Sequence, residues 1–319
     1  EDILAVDHLG ESDKWKNLRA LRFADYMEKD EFQSFLMEKE LPNDLAGIIH
    51  LGACSATTER DATYLVRNNF EYTKIIASAA VSRGVRFLYA SSAATYGLGE
   101  NGYHDDEASI ETLRPLNMYG YSKQLFDLWA KRNGMLASIA GMKFTNVFGP
   151  NEWHKGGMRS MVCRAFEQIS ESGTVGLFRS DTPEYADGEQ KRDFIYVKDA
   201  VDMVLFLLRR RDLNGLFNIG SGKAESWNQL ATAAFRAMEK PVAIRYIPMP
   251  ETLRGRYQNY TCADMRKMKA AGYDKELTPL ADAVADYVRN YLAPGRHPGD
   301  GAPERPPFFP FLTENPIMK

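Results

Sequence analysis

The strongest constraint on the fold is an alternation. Short apolar runs ending in small residues recur at 3–6, 47–52 (GIIHLG), 86–92 (RFLYASS), 138–145 and 216–219, and amphipathic stretches at 30–39, 61–83, 119–133 and 198–210 separate them. Runs this uniformly apolar are those of strands covered on both faces. Strands alternating with helices predict βαβ units, right-handed crossovers and a parallel sheet, so the fold class is α/β. After Asn146 the pattern loosens. Short strands are expected at 177–178, 194–197 and 243–247, and helices at 158–171, 226–240 (Ser226 as cap, Pro241 as stop), 263–271 and 280–291.

Composition narrows the function classes. The chain has 319 residues, 44% hydrophobic and 26% charged, as soluble globular proteins have. A net charge of −3 argues against nucleic-acid binding. No apolar run reaches the roughly 18 residues of a membrane span, and the first residues do not read as a signal peptide. Cys54, Cys163 and Cys262 lie far apart without metal-ligand spacing. They read as reduced thiols of a cytoplasmic protein, with Cys54 a small buried thiol rather than a nucleophile, and no metal site is expected. Seven of the 27 residues from Ala293 are proline, so 293–319 is read as a disordered tail.

One motif carries chemistry. Among 16 tyrosines only Tyr119 has a lysine four residues on, Lys123, and about one such match is expected by chance. Its context adds weight. A helix over 119–133 puts both side chains on one face, and the preceding strand run ends in Ser91-Ser92. In open α/β sheets ligands bind beyond the carboxyl ends of strands. A tyrosine there, its pKa lowered by a lysine within about 4–6 Å and its hydrogen bond shared with a serine, can move a proton between an alcohol and a ketone. That chemistry calls for a nicotinamide cofactor.

The surrounding segments identify a family. Ser91-Ser92-Ala93-Ala94-Thr95-Tyr96-Gly97 with Tyr-x-x-x-Lys resembles the extended short-chain dehydrogenase/reductases that act on nucleotide sugars. Gly52-Ala53-Cys54-Ser55, Asn146-Val147-Phe148-Gly149-Pro150, His154-Lys155-Gly156, Lys191-Arg192-Asp193-Phe194, Gly255-Arg256-Tyr257-Gln258 and Ala270-Ala271-Gly272-Tyr273-Asp274-Lys275 resemble the ADP-L-glycero-D-manno-heptose 6-epimerase family. The likeness runs from Asp2 to about Leu292.

The resemblance implies a Rossmann-like sheet with a smaller α/β substrate domain. It divides the chain into a cofactor part, 1–145 with about 196–222, and a substrate part, 146–195 with 223–292. It implies inversion at C6″ of ADP-D-glycero-D-manno-heptose, a precursor of the lipopolysaccharide inner core, through transient NADP-dependent oxidation to a ketone. Tyr119 and Lys155 would be the acid/base pair, one for each face, with Ser92 on the substrate and Lys123 on the nicotinamide ribose. Asp7, His8, Lys14, Lys29, Leu51, Gly52, Ala53, Cys54, Ser55, Asn68, Lys123, Val147 and Lys155 would bind the cofactor. Ser92, Asn146, Gly157, Arg164, Phe178, Arg192 and Tyr257 would face the substrate. An acid at Asp7 favours NAD, while Lys14 and Lys29 match lysines that accept the 2′-phosphate of NADP. The family assembles as homo-oligomers, often pentamers.

The chain departs from the pattern in places. The family opens with a strand and a glycine-rich phosphate loop before the strand at Ile3, and no such loop precedes Asp7. The missing strand would be central in the sheet. The expectation is that the sequence in hand is incomplete there, and that a protein truly starting at Glu1 would bind NADP poorly. Gly157 and Arg164 replace a usual Ser and His, and 182–189 lengthens a substrate loop. Two other readings compete: a UDP-sugar 4-epimerase, which needs no Lys155, and a non-catalytic binding protein built on an epimerase fold. A 4,6-dehydratase lacks its acids, because Ala93 and Ala94 follow Ser92.

Overall fold

The computed structural model describes residues 2–42, 44–251 and 257–300. Gly255-Arg256 and the tail from residue 301 lie outside the described residues. The chain opens with β1 (Leu4–Asp7), β2 (Asp25–Glu28), α1 (Lys29–Glu38) and β3 (Gly47–His50). The expected long helix is α2 (Ala62–Leu65), a π-helical turn (Val66–Glu71) and α3 (Tyr72–Ser82). Then come β4 (Arg86–Ser92), α4 (Met118–Arg132), β5 (Ile139–Phe144) and β6 (Asn146–Phe148). The second half holds α5 (Met161–Ser172), β7 (Val175–Phe178), β8 (Lys191–Tyr196), α6 (Val197–Arg209), β9 (Gly215–Ile219) and β10 (Ala224–Ser226). It closes with α7 (Trp227–Ala237), β11 (Ile244–Ile247), α8 (Arg266–Ala270) and α9 (Leu280–Tyr287).

The centre is a parallel sheet ordered β3-β4-β5-β9, as the alternation predicts. Its strands are largely apolar because helices cover both faces, with Arg86 on β4 and Lys143 on β5 as buried charged exceptions. Phe87, Tyr89 and Ile139 pack toward α1, α3 and α4, and Leu88, Ala140 and Met142 toward α6 and α8. β1 and β2 form a separate parallel pair that shares no ladder with this sheet, though Val6, Met27 and Ile48 pack on the same cluster. Two small sheets, β10-β8-β6 and β11-β7, lie with α5, α7 and α9 around a third cluster that includes Phe194, Leu230, Phe235 and Tyr287.

Ser226 caps α7 through a reciprocal box with Gln229, as read from sequence. β2, β6 and β10 are three or four residues long, too short to show a period. The disordered-tail expectation fails for its first residues. Residues 293–300 form hydrogen-bonded turns, and His297 is buried, because His297 and Asp300 find partners on distant segments, Asn17, Asn151 and Arg19. Among the described residues no helix is long and apolar enough to cross a membrane, and no group of His, Cys, Asp and Glu could hold a metal ion.

Candidate active site

The site is built from the ends of parallel strands. β4 carries Ser92 to its carboxyl end, and the chain turns there into a 3₁₀ helix, Ala93–Tyr96, capped by the Ser92 hydroxyl, which accepts from Ala94 N at 3.1 Å. α4 begins at its cap Asn117. Gly120, in its first turn, lets it approach closely: a Cβ there would lie 2.7 Å from Ala94 O and 3.1 Å from Pro115 Cβ. This approach sets the Tyr119 phenol beside Ser92, and both line one cavity. The serine and tyrosine singled out from sequence therefore meet.

Lys123 lies one turn along, buried, its ammonium donating to Ala90 O at 2.8 Å. Burial lowers its pKa to about 8, opposed by the carboxylate of Asp127 one turn further on. The expected lowering of the Tyr119 pKa is not met. Burial raises the phenol, the Ser92 hydrogen bond pulls it down in part, and Cys54 pushes it up. The shared helix face does bring the lysine near, but its ammonium is turned to the strand end.

Ser92 and Tyr119 open on a cavity of about 1020 Å³. Lys155 lines it from a 3₁₀ turn, Trp153–Met158, and is exposed. Asn146, Val147, Arg164, Phe178, Arg192 and Tyr257 also line it, as does Ser55 from the loop after β3. Gly157, expected against the substrate, is outside the lining; with no side chain on an exposed turn it has nothing to extend inward.

Arg192 is the most telling member. It is buried, its guanidinium stacks 4.8 Å from the Tyr257 ring and 5.6 Å from Trp227, and it forms no ion pair with a carboxylate among the described residues. Burial lowers its pKa. A buried guanidinium whose only fixed acceptor is Lys191 O, at 2.9 Å, keeps donors free for an anionic ligand. Phe178 meets Tyr257 edge-on at 6.2 Å.

The remaining cofactor-side residues fall into two groups away from this cavity. At the first, Lys14 Nζ donates to Asp7 Oδ1 at 2.5 Å and to His8 O at 3.1 Å, and His8 Nδ1 lies 3.2 Å from Glu28 Oε2. The Tyr26 hydroxyl donates to Glu28 Oε1 at 2.7 Å, holding that carboxyl below its usual range. At the second, Lys29 Nζ donates to Asn68 Oδ1 at 3.2 Å. Leu51 and Gly52 are exposed, and Ala53 and Cys54 partly buried.

Sequence reading missed Asn69. It is buried in the π-helical turn and exchanges two 2.9 Å hydrogen bonds with the backbone of Cys54. Its Nδ2 also donates to Ser122 Oγ at 3.0 Å, and Ser122 Oγ donates to Tyr119 O at 2.7 Å. Asn69 thus joins the Gly52–Ser55 loop to the Tyr119 helix. The adjacent Asn68-Asn69 pair within the amphipathic stretch 61–83 was the available signal. Glu28 and Tyr26, which bond each other, were also missed, as was Asp127, whose partners Tyr89, Ser91 and Lys143 lie on other segments.

Comparison with known proteins now decides the family. Residues 1–220 match the model of the NAD dependent epimerase/dehydratase family. An ADP-L-glycero-D-manno-heptose-6-epimerase of Nitratidesulfovibrio vulgaris is 54% identical over 293 residues, 92% of this chain and 91% of that one. The chain belongs to the ADP-L-glycero-D-manno-heptose-6-epimerases of that larger family. A relative of the same name from Fusobacterium nucleatum is 46% identical over 302 residues, 92% of this chain and 91% of its own. The crystal structure of the Helicobacter pylori ADP-L-glycero-D-manno-heptose-6-epimerase superposes with a TM-score of 0.73 at 22% identity, covering 91% of this chain and 87% of that one. The Thermotoga maritima UDP-glucose 4-epimerase superposes at 0.70 with 20% identity, 91% of this chain and 92% of that one. The protein is therefore an epimerase, an isomerase acting on carbohydrates, of a family that takes a nicotinamide cofactor.

Proposed function

We propose that this protein converts ADP-D-glycero-D-manno-heptose to its L-glycero epimer at C6″, supplying precursor for the lipopolysaccharide inner core. The observation that carries the reading is that Ser92, Tyr119 and Lys155 line one cavity together with Arg192, which has no carboxylate partner among the described residues. The relatives' names supply the sugar.

A bound nicotinamide dinucleotide supplies hydride acceptance and return; the protein supplies proton transfer and orientation. Tyr119 removes or returns the C6″ hydroxyl proton in one pose of the sugar, with Ser92 hydrogen-bonded to the same oxygen. Inversion requires the sugar end to turn over, because the hydride donor stays on one side. Lys155 then serves the proton at the opposite face. Lys123 is half or more cationic below about pH 8, and it would orient the nicotinamide ribose. Arg192 binds the substrate pyrophosphate through its fork, and Phe178 and Tyr257 pack beside it. Asn146 and Arg164 complete the substrate side.

NADP is the proposed cofactor, with NAD the alternative. Lys14 already neutralises Asp7, which otherwise repels a 2′-phosphate, and Lys29 lies beside Asn68. Gly52–Ser55, Leu51, His8 and Val147 would line the dinucleotide. The family is itself described as NAD dependent. The division at about 145, 196 and 222, a cytoplasmic location and a homo-oligomer, the family's frequent pentamer included, belong to the same proposal.

The test is incubation of the purified protein with ADP-D-glycero-D-manno-heptose and, separately, UDP-galactose, with the epimers resolved by chromatography. Turnover of the UDP sugar alone would sink the heptose reading, and absence of both turnover and NADP binding would favour the non-catalytic one. Tyr119→Phe and Lys155→Met should each slow epimerisation by about 10² to 10⁴, the usual range for a lost general acid or base.

A further inference from the structure

Lys155 stands on a 3₁₀ turn with no buried residue, interrupted by Gly156 at φ 53°. Its one packed apolar side chain is the half-buried Trp153, so the turn keeps its place largely through what its flanks are tied to. One tie is local to the substrate side. The Glu152 carboxylate accepts from Ser160 N at 2.5 Å, Ser160 Oγ at 2.6 Å and the Tyr287 hydroxyl at 2.8 Å.

The other tie joins three segments more than a hundred residues apart. Asn17 Nδ2 donates to Asn151 O at 3.3 Å and lies 3.2 Å from His154 Nδ1. His297 Nδ1 lies 3.1 Å from Asn17 Oδ1 and 3.2 Å from Asn151 Oδ1. Two amide oxygens turned to one ring nitrogen make His297 Nδ1 the donor, and an amide NH₂ turned to His154 Nδ1 makes that nitrogen the acceptor. Asn151 is held at φ 74°, a left-handed conformation uncommon for a residue with a side chain. Asp300 completes the set, accepting from Arg19 Nε at 3.2 Å, Arg19 Nη2 at 2.5 Å and His297 N at 3.0 Å. Gly299, at φ +89°, lies so near this segment that a Cβ would be 2.9 Å from Ala20 Cβ. Burial lowers the pKa of both His154 and His297, which keeps the neutral pattern at ordinary pH.

We infer that the turn at 293–300 is a clasp that positions Lys155: His297, Asn17 and Asn151, locked by Arg19–Asp300, fix the residue before the lysine and hence the reach of its ammonium into the cavity. The inference rests on the acid/base role proposed for Lys155. The clasp residues do not line the cavity. They act through Lys155 and are positioning residues.

The experiment measures kcat and KM of the full chain for His297→Ala, alone and on the Lys155→Met background. Misplacement of a catalytic group by a fraction of an ångström should lower kcat by about tenfold, with KM changed less than about twofold. On the Lys155→Met background the same change should cost nothing further, since the group it positions is gone. Asp300→Arg should lower kcat similarly, and adding Arg19→Asp should restore it in part by re-forming the ion pair in reverse, since an arginine cannot accept from His297 N. Equal losses on both backgrounds, or no loss on either, would overturn the inference. Amide hydrogen exchange over 153–158 reads the clasp without catalysis. It should accelerate in His297→Ala, and unchanged exchange would also overturn the inference. If Lys155→Met proved fully active, the acid/base reading would fail while exchange still decided the clasp.

Discussion

Replacing Gly120 with alanine tests whether the close approach of α4 to the turn after β4 is what assembles the Ser92–Tyr119 pair. The added Cβ would sit 2.7 Å from Ala94 O, 3.1 Å from Ala94 C and 3.1 Å from Pro115 Cβ. The nearest of these is backbone, which cannot swing aside as a side-chain tip can. To reach ordinary contact the helix start must retreat by about 0.7 Å, starting from 2.7 Å to Ala94 O. Tyr119 is the preceding residue, and Ser92 is two residues before Ala94, so the retreat separates the two groups proposed to share the proton. A displacement of about 1 Å at a catalytic centre can cost about 10², so a fall in kcat of about 10 to 10² is expected. Stability responds less. Overpacking costs about 1–3 kcal/mol, offset by about 1 kcal/mol of better helix propensity for alanine over glycine. The assay is steady-state epimerisation together with thermal unfolding. A variant with unchanged kcat and a raised Tm would refute the reasoning, because the helix would then tolerate the methyl without moving Tyr119.

Other outcomes follow from buried groups. His50 is buried beside Thr73 and near Lys123, and its pKa is lowered to about 3, so it stays neutral when folded but takes a proton near pH 6.5 when unfolded. Below 6.5 the unfolded state therefore binds more protons, and stability falls with pH by about 2 kcal/mol by pH 5. Denaturant titrations at pH 7 and 5 should show that loss in the native protein and a smaller one in His50→Gln. Lys143 and Asp127 form an ion pair at 2.7 Å, fully buried, with Tyr89, Ser91 and Thr95 completing its hydrogen bonds. Lys143→Met strands the carboxylate and should destabilise by about 3–5 kcal/mol in urea unfolding, whereas Lys143→Met with Asp127→Asn should recover part of that loss. A double variant no better than the single would show that the charge is not what makes the loss.

Much of the fold was legible locally. The apolar runs at 86–92 and 138–145 became adjacent parallel strands because their length and uniform hydrophobicity leave few other solutions. The helix over 119–133 was readable within one residue at each end, since its cap, its apolar face and its last-turn basic residues all lie within it. The π-helical turn at Val66–Glu71 was not, because it is an irregularity imposed by what Asn69 bonds to, the Cys54 backbone and Ser122.

The candidate site divides in the same way. Tyr119, Lys123 and Ser92 could be picked out because four-residue spacing and a strand end are properties of the local chain. Lys155 and Arg192 came only through family resemblance, since nothing in their own neighbourhoods marks them. What the sequence by itself determined was the set of elements, the family and the residue types available at the strand ends. What only the tertiary structure decided was their electrostatics and their surroundings: a Tyr119 phenol raised where a lowered one was expected, a buried Arg192 without a carboxylate among the described residues, and a His154 beside Lys155 that bonds the distant Asn17. Burial, and hence desolvation, depends on segments distant in sequence, and no local pattern reports which of them will meet.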